Sequence, residues 1–149
     1  MIAGILRIIA TDTVDSYASF YAFFFSFAHP PRYSATRQAC SVWLKNRVYK
    51  NYDTLEVSRR VDQTVIAASE REALRINILP LLAASPSRSI SLQLASTLRS
   101  IVSYDFPTKW PSLIAEIQTL LTSGNVSKVH AGCLAALEAV RAFRYRVTR

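Results

Sequence analysis

Ile90-Ser91-Leu92-Gln93-Leu94-Ala95-Ser96-Thr97-Leu98 is the stretch that decides the fold of this chain. Ile90, Leu94, Ala95 and Leu98 stand at positions one, five, six and nine of a nine-residue window. That spacing puts all four on one side of a helix, with a small residue at the centre to let a neighbouring helix approach closely. The same register recurs in Thr36, Cys40, Ser41 and Leu44, and again in Val129, Cys133, Leu134 and Leu137. The windows start 54 and 39 residues apart, and an apolar helix precedes each of them. The unit is therefore a helical hairpin of roughly 40–47 residues, the period of HEAT-type arrays. An ordinary amphipathic bundle shows similar spacing. Small-residue pairs at matched positions, with proline-marked turns between hairpins, favour the solenoid.

Working outward, residues 35–50 read as a helix, and residues 51–68 as a long connection. Ser69-Glu70-Arg71-Glu72 reads as a capping box that opens the next helix. That helix contains Pro80, where a kink is expected. A helix from about Ser87 to Ser103 follows Pro86. Pro111 is placed to open another through Leu113, Ile117, Leu120 and Leu121. Ser123-Gly124-Asn125 reads as a helix stop followed by a new N-cap, and the last helix runs from about Val126 to Tyr145. No alternating run reads as a strand of any length. The class is all-α, an α-solenoid of about three HEAT-type hairpins forming the N-terminal part of a longer array.

The chain of 149 residues is half hydrophobic, which excludes a disordered polypeptide, and it carries a formal net charge of +8. Two cysteines exclude a disulfide framework, and no Cys/His cluster suggests zinc. Cys40 and Cys133 occupy equivalent small-residue positions, so both are expected in the packing rather than as nucleophiles. His29 and His130 have no nucleophile nearby in sequence, and no GxSxG, HExxH or glycine-rich phosphate loop is present. No catalysis, cofactor or metal is expected. The apolar core of residues 16–31 falls short of the ~18–20 residues a spanning helix needs, and Pro30-Pro31 stops it. No membrane partner is expected.

Three segments carry a resemblance. Residues 37–48, RQACSVWLKNRV, are similar to the RQAxxxxLKNxV segment of importin-beta family nuclear transport receptors (karyopherins). Residues 105–113, DFPTKWPSL, resemble that family's DFPxxWPxL turn, with residues 77–82, NILPLL, between the two. Residues 129–137, VHAGCLAAL, look like the subgroup of importins seven and eight. The resemblance implies a receptor whose N-terminal repeats bind the Ran GTPase in its GTP form and support protein import into the nucleus. Cargo and nucleoporin contacts would fall mostly to later repeats. Lys45, Asn46 and Arg47 would face the GTPase, against a bland reading in which Asn46 caps a turn and the cations are solvated. The residence implied is nucleus and cytoplasm, including the nuclear pore.

Phe106, Pro107, Trp110 and Pro111 read as an inter-repeat clamp, with the prolines restricting the backbone and the aromatics burying large areas. Full receptors of this family tend to be acidic, so the positive charge is a departure. A second departure is residues 16–34, SYASFYAFFFSFAHPPRYS, where the family would run almost directly from residue 15 to residue 35. The expected organisation is a first-repeat remnant at 1–15, an atypical Phe-rich insertion at 16–34 (a retained intron or a misplaced exon boundary) and importin N-terminal-like repeats at 35–149. The chain end, soon after Phe143-Arg144-Tyr145-Arg146, is read as that of a fragment. The rival class is a basic helical nucleic-acid-binding or scaffold protein, suggested by Arg141, Arg144, Arg146 and Arg149 interleaved with Phe143 and Tyr145.

Overall fold

A computed structural model describes residues 34–52, 65–85 and 87–144. The first-repeat remnant, most of the Phe-rich insertion, the core of the 51–68 connection and the end of the basic tail lie outside the described residues. Five α-helices are described: α1 (Ser34–Asn51), α2 (Ala68–Ala83), α3 (Arg88–Asp105), α4 (Leu113–Leu121) and α5 (Val126–Arg144). Among the described residues there is no strand, and the fold is the all-helical, HEAT-like one.

Contacts follow a stacking pattern. α2 pairs with α3 and α4 with α5 as hairpins, while α3 packs between α1 and α5. Gln38 accepts a hydrogen bond from Ser89 Oγ at 2.7 Å, which brings the starts of α1 and α3 together. Arg99 on α3 meets Glu138 on α5 at 3.6 Å. The helices α1, α3 and α5 therefore run side by side in one layer, with α2 and α4 forming the other.

The decisive window behaves as its spacing predicts. Ile90, Leu94, Ala95 and Leu98 are all buried, joined by Ile101 and Val102. Each fully buried aliphatic side chain of this kind contributes about 1.5–3 kcal/mol. In the first window Cys40, Ser41 and Leu44 are buried, followed by Val48 and Tyr52. The third window departs from the register. Cys133 and Leu137 are exposed, and α5 instead buries Ala131, Gly132, Ala135, Ala139 and Ala142. The reason is steric. A Cβ on Gly132 would stand 2.9 Å from Leu121 Cδ2 and 3.2 Å from Leu120 Cβ, so α4 comes too close for the larger stripe to turn inward.

Helix ends also correct the reading. α2 starts at Ala68, one residue before Ser69, so Glu70 rather than Glu72 takes the third position and accepts from the Ala67 N–H at 3.2 Å. Ala67 has no side-chain oxygen to reciprocate, leaving half a box. Pro80 lies within α2, whose last turn ends three residues later at Ala83. Ser87 caps α3 by accepting from the Ile90 N–H at 3.4 Å. Pro111 precedes α4 instead of opening it, and Ser112 is the N-cap. At the turn into α5, Gly124 has φ +68°, a conformation costly for a residue with a Cβ, and Asn125 Oδ1 accepts from the Lys128 N–H at 3.2 Å.

Candidate functional site

The chemistry of the described residues gathers at the junction of α1, α2 and α3. Asp105 ends α3 and is fully buried. Its Oδ2 accepts from the Tyr52 hydroxyl, which is also fully buried at the end of α1, and from Arg75 Nη1 of α2 at 2.7 Å. Arg71, one turn earlier on α2, stacks its guanidinium 5.0 Å from the centre of the Tyr52 ring and donates to the Ile66 carbonyl at 2.9 Å. Burial first, then the adjacent Asp105 carboxylate, push the Tyr52 phenol well above its ordinary range. The other oxygen, Asp105 Oδ1, has no hydrogen-bond partner among the described residues. A buried carboxylate is retained only where it is paired and hydrogen-bonded, and here it ties three helices at one point.

The same aspartate organises the turn that follows. The Asp105 carbonyl accepts from the N–H groups of Lys109 and Trp110 at 2.7 and 3.1 Å, folding residues 105–110 back on themselves. Trp110 is buried, and its indole N–H donates to Glu116 Oε1 at 3.1 Å. Glu116 also accepts from Ser112 Oγ at 2.6 Å, fixing the start of α4. Phe106 is half-buried, with its ring 5.1 Å from that of Phe143 near the end of α5. Pro107, after a cis peptide bond, and Pro111 lie on the surface.

Lys45, Asn46 and Arg47 sit in the second half of α1. Asn46 is exposed and the two cations are half-buried. The helix continues to Asn51, so Asn46 caps no turn. The LKN segment thus lies on α1, whereas the Phe106–Trp110 turn connects α3 to α4. Arg141 and Phe143, two members of the basic–aromatic tail, are engaged: Arg141 donates to Glu138 at 2.6 Å, and Phe143 packs on Phe106. Cys40 is buried, which pushes its thiol up, whereas Cys133 is exposed, because α5 turns its alanine face inward.

Sequence reasoning missed the Tyr52–Asp105–Arg75 node. Asp105 was visible only as the first letter of the DFP turn, and Tyr52 and Arg75 lie 53 and 30 residues away from it. An arginine at i and i+4 on α2, Arg71 and Arg75, was the available signal. Among the described residues no helix is long and apolar enough to cross a membrane. Nor do three or more His, Cys, Asp or Glu side chains gather there as a metal site.

No family model matches the chain, and no solved structure matches it. Curated relatives do. Importin-8 of Danio rerio is 29% identical over 112 residues, covering 74% of this chain and 11% of the relative. Exportin-2 of Drosophila melanogaster is 30% identical over 110 residues, covering 74% and 11%. Exportin-2 of Pagrus major is 32% identical over 89 residues, covering 60% and 9%. The chain therefore spans about a tenth of the length of the curated relatives it matches. The likeness extends to both importins and exportins without choosing between them, and together with the stacked hairpins it supports the importin-beta family of nuclear transport receptors.

Proposed function

We propose that this chain is the N-terminal region of a nuclear import receptor of the importin seven/eight-like subgroup, binding the Ran GTPase in its GTP form. The observation that carries the reading is similarity to importin-8 over 74% of the chain, in residues folded as stacked helical hairpins. Lys45, Asn46 and Arg47 are the GTPase-facing residues in this reading. Their exposed or half-buried places on the second half of α1 leave them accessible to a docked protein. Phe106, Pro107, Trp110 and Pro111 act as the clamp between adjacent hairpins: Phe106 meets Phe143 of the next hairpin, and Trp110 is buried beside α4. Import cargo and nucleoporins are held by further repeats of the full receptor, which moves between cytoplasm and nucleus through the pore.

The test is retention of the purified chain on immobilised Ran loaded with GTP, against the same protein loaded with GDP. Binding selective for the GTP form, weakened by Lys45→Glu with Arg47→Glu, is the expected result. Equal retention on both nucleotide forms, or binding unaffected by the charge reversal, refutes it.

A further inference from the structure

Exposed acidic side chains of the described helices fall in one of the two layers. Within α1, α3 and α5 the acidic side chains are Asp105 and Glu138, and both are buried. The exposed charges of that layer's described residues are therefore all positive, whereas the other layer is mixed, with Glu70, Glu72 and Glu116 beside Arg71 and Arg75. On α3, Arg88, Leu92 and Arg99 fall at i, i+4 and i+11, one stripe of a 3.6-residue helix, and all three are exposed. On the neighbouring α5, His130, Leu134, Leu137 and Arg141 fall at i, i+4, i+7 and i+11 and form a second such stripe.

The stripes lie beside each other. A cavity of about 350 Å³ is lined by Arg88, Leu92, His130 and Leu134 together with three serines. At the other end, Glu138 lies 3.6 Å from Arg99 and 2.6 Å from Arg141, so one buried carboxylate holds two half-exposed guanidiniums together with a positive charge to spare. Both stripes thus read as basic or imidazole donor, leucine, then arginine, with the ends about 16 Å apart along the helices.

We infer that this face binds an acidic segment of a partner protein: aliphatic side chains at its centre, over Leu92 and Leu137, and carboxylates at both ends. Leu92 is 50% exposed and Leu137 44%, a desolvation gain that a nucleic acid would not collect. The two stripes also hold no Phe, Tyr or Trp on which a base could stack. Paired arginines fit carboxylates in a planar, forked geometry. The face does not depend on the Lys45–Arg47 contact proposed above, so either reading can fail alone.

The experiment uses the 149-residue chain and a fluorescein-labelled peptide with two glutamates on each side of Leu-Ala-Leu-Leu, followed by fluorescence anisotropy. The comparison ligands are the same residues with the leucines moved to the ends, and an oligouridylate of equal charge. The expected result is that the block peptide binds in preference to both. Arg88→Glu should weaken it about tenfold and flatten its salt dependence, while Leu92→Ser should weaken it with the salt dependence unchanged. Both substituted residues are exposed, and unchanged melting temperatures show that the variants fold. Equal binding of the rearranged peptide, stronger binding of the oligouridylate, no binding at all, or indifference to both variants each overturns the inference.

Discussion

Replacing Asp105 by alanine tests the assignment of the buried node as the tie between three helices. The substitution leaves two stranded groups: the Tyr52 hydroxyl, fully buried, and the Arg75 guanidinium, whose side chain is 18% exposed. A buried hydroxyl without a partner costs about 1–3 kcal/mol. Breaking a buried ion pair by removing one member costs about 3–5 kcal/mol in all. Arg75 reaches some water, and the desolvation of the carboxylate itself is relieved, so the low end applies and about 3 kcal/mol is expected. Against a total stability of about 5–15 kcal/mol, that is a large share. Urea unfolding followed by circular dichroism reads it directly: with a slope of about 1–3 kcal/mol per molar, the midpoint should fall by about 1–3 M. Asp105→Asn keeps the acceptor for Tyr52 and should lose about half as much. A midpoint within about 0.3 M of the parent for the alanine variant would falsify the assignment, because an uncompensated buried donor cannot cost so little.

Other expectations follow from the same packing. Gly132→Val should destabilise by about 1–3 kcal/mol through overpacking against Leu120 and Leu121, with Gly132→Ala much milder because the nearest atom is the end of a flexible leucine; equal melting of the valine variant and the parent contradicts this. Phe106→Ala and Phe143→Ala should couple by about 0.5–1.5 kcal/mol in a double-mutant cycle, and strict additivity would show that the ring contact adds nothing beyond burial. Because the Tyr52 phenol is raised in the folded state, its contribution is fully present below its unfolded value of 10.0 and is lost as pH climbs above that value. The stability advantage of the parent over Tyr52→Phe should therefore shrink above pH 10, and a pH-independent difference from pH 8 to 11 counts against the hydrogen-bonded phenol.

The hairpin layout was legible because it rests on local rules: helical spacing of apolar residues, prolines and glycines between helices, and an asparagine cap. Ile90, Leu94, Ala95 and Leu98 needed only periodicity to be placed in the core. The face of α5 was not legible. Val129, Cys133, Leu134 and Leu137 make as good an apolar stripe as Ala131, Ala135, Ala139 and Ala142, and hydrophobicity alone favours the larger set. Proximity to α4 at Gly132 decided for the alanines, a fact that exists only once the helices meet. The Tyr52–Asp105–Arg75 node was hidden for a related reason. A carboxylate beside a phenylalanine and a proline reads as a turn residue, and nothing local says that a tyrosine and an arginine from two other helices will enclose it. The LKN segment was found by likeness, and its position on α1 followed from periodicity.

The hydrogen bond from the Ile66 N–H to the Asn51 carbonyl, 3.3 Å long, joins the points where the chain leaves α1 and returns toward α2. Both of these points are anchored, by buried Tyr52 on one side and buried Ile66 on the other, so the distance that any chain between them must close is fixed. Doubling such a span adds only about 0.6 kcal/mol of closure entropy. Closure entropy therefore sets little limit on the length of sequence that can join these two fixed points, whether a short link or one lengthened by a tag.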